Sequence, residues 1–175
     1  MRVIGIPVTD QEHGEFVMDS LKAAVDRKQV TLEDLALVVK EADGKVKIHQ
    51  TKDITAGKGA VRGSLIGAVI GLAAPPLLGL AAVGAGVGAL WGRLRDRGVD
   101  DNLMKNVVEP LDRGHGVVFA LGDDASIAAI EARVKELSSG DMLTFTFDPD
   151  DETELRAMAE DIPMPGTLLV KAPFS

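Results

Sequence analysis

Residues 63–92 carry no charged side chain, and within them glycine recurs at every fourth position: Gly63, Gly67 and Gly71, then Gly84, Gly88 and Gly92. Pro75 and Pro76 separate the two triplets. A four-residue step advances a helix by only about 40° beyond a full turn. Each triplet therefore lies along one narrow helical face, with Leu65, Ile66, Val69, Ile70 and Leu72 largely on the other side. The pattern predicts two short helices joined at the proline pair. Each is smooth on one side and bulky on the other, the arrangement that lets two backbones approach closely.

Six glycines inside helices penalise the free helices by on the order of 6 kcal/mol relative to alanine, so the surroundings must impose the helical state. A bilayer does so, because an unpaired backbone group in hydrocarbon costs several kcal/mol. A tightly packed oligomeric core makes the same demand. Residues 59–74 and 77–92 are sixteen residues each. Either helix then spans roughly 24 Å, slightly short of a hydrocarbon core of roughly 30 Å. A single continuous span is disfavoured because the prolines break it in the middle.

The flanks are basic. Lys52, Lys58 and Arg62 precede the apolar stretch, Arg93, Arg95 and Arg97 follow it, and Trp91 sits beside Arg93. Positive flanks belong on the cytoplasmic side of a membrane, and an amphipathic ring belongs at the headgroup level. The expectation is a hairpin that enters and returns, with Lys58, Arg62, Trp91, Arg93, Arg95 and Arg97 at the interface, either thinning the bilayer or dipping into it as a re-entrant element. The alternative is a Gly/Ala-rich hairpin buried inside a soluble assembly, with Trp91 as a core residue.

The formal net charge of −8 is unevenly distributed: −2 over residues 1–56, +4 over 57–98 and −10 over 99–175. An acidic body with a basic collar fits a protein that meets anionic lipid through the collar. Nucleic acid as a partner is excluded by the lack of a large basic face and by an aromatic content of 3%. With no cysteine, disulfides and thiol chemistry are excluded, which suits the cytoplasm. The first eight residues, MRVIGIPV, are too short an apolar run for a signal peptide and read as a strand.

Outside the apolar stretch the periodicities are ordinary. Residues 3–8 read as a buried strand, and 11–28 as an amphipathic helix on which Phe16, Leu21, Ala24 and Val25 share a face. Residues 35–40 and 46–50 read as strands joined at Asp43-Gly44, a dipeptide suited to a tight hairpin. Residues 99–111 read as a short helix capped by Asp100 or Asp101 and stopped near Pro110. Then follow a strand over 117–121, a helix over 126–137 with Ile127, Ile130, Val134 and Leu137 on one face, a strand over 142–147, a helix over 150–160 and an edge strand over 167–170.

The expected fold class is α+β, a ferredoxin-like sandwich with an inserted Gly-rich apolar helical hairpin. Residues 1–56 and 99–162 form its two halves, 57–98 the insertion and 163–175 a tail.

The run EADGKVKIHQTKD at 41–53, the glycine-rich segment after it and RGVDDNLMKNVVEPLDRGHGVVFAL at 97–121 are together similar to a bacterial family catalogued as domain of unknown function 1269, often labelled predicted membrane protein. The resemblance covers roughly residues 31–160, and its distinctive parts are the DGKV turn and the segment after the hairpin. It implies membrane association, without an established activity and without catalytic residues.

No catalytic, cofactor or metal chemistry emerges from the residues. His13, His49 and His115 lack metal-ligand spacing. Gly57-Lys58-Gly59 lacks the order of a phosphate loop, and Gly84-Ala85-Gly86-Val87-Gly88 lies inside a predicted helix rather than at a strand end. The acidic run from Asp148 to Glu154 lacks the spacing of a calcium loop and reads as a helix start, as do Asp123, Asp124 and Ser126.

The expected function is non-enzymatic. A membrane-associated homo-oligomer of the bacterial cytoplasmic membrane, its soluble domain on the cytoplasmic side and lipid its partner, takes part in membrane scaffolding or envelope stress, with no small-molecule substrate. The alternative is a soluble homo-oligomeric binding or regulatory module with the hairpin buried in the assembly. If the glycine faces are the helix contacts, Gly67→Leu and Gly88→Leu change the oligomer size in light scattering; two variants of native size exclude those faces as the contact.

Overall fold

The computed structural model describes residues 1–40, 42, 46–50, 111, 115–137, 142–161 and 168–170. The hairpin expected over 57–98 lies outside them, as does the helix expected over 99–111 apart from Leu111.

The first strand, β1 (Arg2–Val8), is apolar on both faces and delivers the chain to α1 (Gln11–Asp26). Asp10 starts that helix: its carboxylate accepts the His13 N–H at 2.8 Å, satisfying one of the orphan donors of the first turn. The helix ends in a Schellman motif, with the Gln29 and Lys28 N–H groups donating to the carbonyls of Ala24 and Val25, both at 2.9 Å. That geometry requires a left-handed residue, and Lys28 supplies it at φ 58°.

Strand β2 (Leu32–Lys40) pairs with β3 (Val46–Gln50) as an antiparallel hairpin, Lys40 opposite Val46 and Ala36 opposite Gln50. After the long excursion come β4 (Gly116–Gly122), α2 (Asp124–Leu137), β5 (Leu143–Thr146), α3 (Pro149–Asp161) and β6 (Leu168–Val170). The fold is thus mixed α/β with an antiparallel sheet, in the order β5-β1-β4-β2-β3-β6. β4 lies between β1 and β2, with Ile6 and Leu37 both opposite Val118. The connection through α1 therefore crosses β4, and the connection through α2 crosses β1. As expected, the short apolar run near the C-terminus is an edge strand, with Leu168 opposite Ile48.

Both crossover helices cover one face of the sheet. Met18 and Leu21 of α1 and Ile127 and Ile130 of α2 share a core with Ile4, Ile6, Leu35, Leu37, Val118 and Ala120. Two expectations about these helices are corrected. Phe16 is 70% exposed, and the core face of α1 runs through Gly14, Met18 and Leu21 with Val25 partly buried. Leu137 is 75% exposed, because α2 has passed the sheet by its last turn. In both cases helical spacing places a residue near the apolar stripe, but the position of the sheet sets the width of the buried arc.

α1 approaches the sheet most closely at Gly14, where a Cβ would overlap the buried Leu37 side chain. The end of β4 is as tight and meets backbone instead of a side chain: a Cβ at Gly122 would lie 2.5 Å from the Thr31 carbonyl oxygen. Among the described residues no helix is long and apolar enough to cross a membrane.

Two measurements follow from this packing. Gly122→Ala lowers the urea midpoint by the equivalent of about 1–3 kcal/mol, the usual range for overpacking; an unchanged midpoint shows that Thr31 can withdraw. Lys28→Gly raises stability by about 1 kcal/mol by relieving the left-handed side chain, and a loss of stability instead shows that the Lys28 side chain contributes more than its backbone strain costs.

Candidate functional site

The residues singled out by sequence, Gly63, Gly67, Gly71, Gly84, Gly88 and Gly92 with Lys58, Arg62, Trp91, Arg93, Arg95 and Arg97, lie outside the described residues. The body nevertheless defines where their segment leaves and where it returns. β3 and β4 flank β2 on opposite sides; Gln50, the last residue of β3, is opposite Ala36, and Gly116, the first of β4, is opposite Val39. Two strand spacings across and three residues along the sheet put the two stems roughly 14 Å apart. The 65 residues from 51 to 115 thus leave and re-enter the body at neighbouring points.

The charged groups of the body fasten its elements to one another. Asp148 caps α3, accepting the Asp151 N–H at 3.0 Å, and Asp151 itself is fully buried. Further along α3, Arg156 reaches Glu152 at 2.8 Å and Glu33 of β2 at 2.7 Å, while Glu152 lies 3.7 Å from the Met1 ammonium. Burial opposes the Arg156 charge, but hydrogen bonds to Glu152 and Glu33 outweigh it and hold the guanidinium above its ordinary range. α3 is thereby tied to the rim where β1 and β2 begin. The acidic run is a helix start, as the sequence suggests, with Arg156 as its counter-charge.

On the same rim Asp123 caps α2. It accepts the Ser126 N–H at 2.7 Å and the Ser126 hydroxyl at 3.0 Å, and Ser126 Oγ accepts the Thr31 N–H at 2.8 Å. The hydrogen bond from the Ser126 backbone, then that from its hydroxyl, holds the Asp123 carboxyl below its ordinary value. Glu131 is likewise lowered, first by Lys135 at 2.7 Å and then by Arg2 at 3.0 Å. The link from Ser126 to Thr31 had no sequence signal, since the two are 95 residues apart.

The three histidines sit on separate elements. His13 Nδ1 lies 3.3 Å from Thr9 N and Oγ1 at the start of α1; His115 is exposed before β4. His49, opposite Leu37, has its Nε2 buried with no hydrogen-bond partner among the described residues. Alternation along β3 is the one sequence cue that places it on the Leu37 side. Among the described residues no group of three or more His, Asp or Glu side chains is placed to hold a metal.

Three outcomes test this picture. Asp123→Ala lowers stability by about 1 kcal/mol, as for other helix caps. The Asp123 and Glu131 contributions are complete above the ordinary values of 3.8 and 4.5 and are lost as pH falls through the lowered folded values. Asp123→Asn with Glu131→Gln therefore flattens the acid side of the stability profile, whereas an unchanged profile assigns acid sensitivity to other carboxylates. His49→Leu preserves or raises the urea midpoint, because it removes a buried polar atom that no partner compensates; a fall shows that the imidazole has a role its surroundings do not reveal.

A family model described as "Protein of unknown function (DUF1269)" matches residues 60–160, more than half of the chain, and the chain belongs to that family. The match begins within the excursion, at residue 60, and continues through β4, α2, β5 and most of α3. Neither a curated protein nor a solved structure matches the chain.

Proposed function

We propose that this family member is a non-enzymatic, membrane-associated homo-oligomer, in which a ferredoxin-like body holds a glycine-zipper hairpin over residues 57–98 that inserts in or packs at the cytoplasmic membrane. The observation that carries the proposal is the closeness of the two stems, roughly 14 Å by strand spacing and register, on either side of a stretch with no charge from 63 to 92. Such stems suit an element that goes out and comes back. The strand order β5-β1-β4-β2, with both helical crossovers passing over an intervening strand, supports the ferredoxin-like assignment.

The charge distribution supports the rest. Residues 57–98 are net +4 and residues 99–175 net −10, so an anionic bilayer attracts the collar and repels the body. The hairpin then lies in or on the lipid, the body stays on the cytoplasmic side, and zipper faces of neighbouring copies pack together. An assembly of this kind scaffolds or thins the membrane and suits a role in envelope stress.

One observation favours a second reading. The sheet face turned away from α1 and α2 is as fully buried as the face they cover: Val3, Val38, Val117 and Leu121 have no exposed surface. That face is covered within a single chain, so a soluble homo-oligomeric binding or regulatory module, its hairpin buried in the assembly, needs no lipid to cover it.

The deciding experiment expresses the untagged chain in a bacterium and floats the membranes through a density gradient after an alkaline wash. Retention with lipid is the expected result. Release as a discrete soluble particle removes the membrane proposal and leaves the second reading.

A further inference from the structure

We infer that the outward face of α1 is a seam between two copies of this chain, packed antiparallel about a two-fold axis, with Phe16 seated on the partner's Ala23 and Glu12 against the partner's Arg27. The inference rests on the homo-oligomer part of the proposed function and gives the body a contact of its own, separate from the zipper hairpin.

α1 carries two stripes. Gly14, Met18 and Leu21, with Val25 partly buried, face the sheet and lie within about 60° of arc. Glu12, Phe16, Ser20, Ala23 and Arg27 lie within about 80° on the opposite side. Successive members are separated by three or four positions, which is the seam spacing of paired helices.

Phe16 is the apolar member of this second stripe. It is 70% exposed, and among the described residues only Leu137 is another large apolar side chain left in solvent. The positions that follow it are small. Ser20 turns its hydroxyl back onto the Phe16 carbonyl at 2.8 Å, so it presents a surface close to that of alanine, and Ala23 comes next. A ring and a small-residue hollow on one face are the knob and the hole of a helix pair.

Charge selects a second copy as the occupant. The exposed carboxylates of Asp10, Glu12, Glu15 and Asp19 mark the start of α1, and exposed Arg27 and Lys28 mark its end. Asp19 is paired with Lys22 at 3.1 Å, whereas neither Glu12 nor Arg27 joins an ion pair among the described residues. An antiparallel copy sets acidic start against basic end, and two-fold symmetry makes each contact twice. With Glu12 opposite the partner's Arg27, Phe16 falls opposite the partner's Ala23, because Phe16 is as far along from Glu12 as Ala23 is back from Arg27. A parallel pair would set acid against acid, and an anionic bilayer would repel the same carboxylates. One helix face is smaller than the roughly 800 Å² per partner of a standard interface, so the seam forms between copies already held near one another.

The chain has no cysteine, so one introduced thiol reports on the seam. Ser20→Cys, exposed and beside the two-fold axis, is treated with a short bismaleimide in cells expressing the full chain. His13→Cys, also exposed on α1, lies about 20 Å from its counterpart in an antiparallel pair and serves as the control. The expected result is covalent dimer from Ser20→Cys and little from His13→Cys. Phe16→Glu on the Ser20→Cys background lowers the dimer about tenfold; the side chain is outside the core, and far-UV circular dichroism checks that the variant is folded. Glu12→Arg also weakens the dimer, and adding Arg27→Glu restores it. Equal yields from the two cysteine positions overturn the seam, as does a Ser20→Cys dimer indifferent to Phe16→Glu. A Ser20→Cys thiol that links to nothing, in a chain that light scattering shows to be oligomeric, overturns the seam and leaves the homo-oligomer reading standing. A chain that is monomeric in light scattering removes that reading as well.

Discussion

The pairing of β4 between β1 and β2 is the interaction on which the other elements depend. All seven residues of β4 are buried, and its two ladders join chain segments more than seventy residues apart. With β4 in place, β1 gains the partner that lets β5 form an edge, and β2 gains the partner that lets β3 form its hairpin at the other side. Each helical crossover must then pass over a strand already in the sheet, and the right-handed rule for connections between parallel strands sets which face it covers. Closing so long a loop is less demanding than its length suggests, because closure entropy grows only with the logarithm of length, about 0.6 kcal/mol per doubling. A sheet of this kind can therefore accept a large insertion between β3 and β4 with little loss of stability.

The polar groups reinforce that arrangement at the strand ends. Ser126 joins the start of α2 to Thr31 just before β2, Arg2 meets Glu131, and Arg156 joins α3 to Glu33. Partly exposed ion pairs of this kind contribute little individually, typically 0–1 kcal/mol. Their effect is to orient elements whose burial supplies the larger share of stability. The buried His49 Nε2 is the exception, a polar atom with no hydrogen-bond partner among the described residues.

Family membership and geometry place the centre of interest in the same part of the chain. The matched region includes most of the excursion, the stems stand close together, and the polar clusters of the described body act as caps and fasteners. Each end of the excursion is built into the sheet, at β3 and β4, the two strands flanking β2.

The sequence by itself determined the strands, the helices and their caps, within one to three residues at most boundaries, because each follows from local periodicity and short-range hydrogen bonding. The helix starts at Asp123 and Asp148, the 46–50 strand and the edge strand at Leu168–Val170 were all legible this way. The glycine spacing and the basic collar were equally plain, since they are properties of one continuous stretch. Only the tertiary structure decided that β4 inserts between β1 and β2, that Phe16 and Leu137 face solvent, that Ser126 reaches Thr31 and that the second sheet face is closed. The physical reason is the range of the information: a helical or strand period states which side chains share a face, whereas the partner of that face is set by hydrogen-bond ladders and packing between segments far apart in the chain.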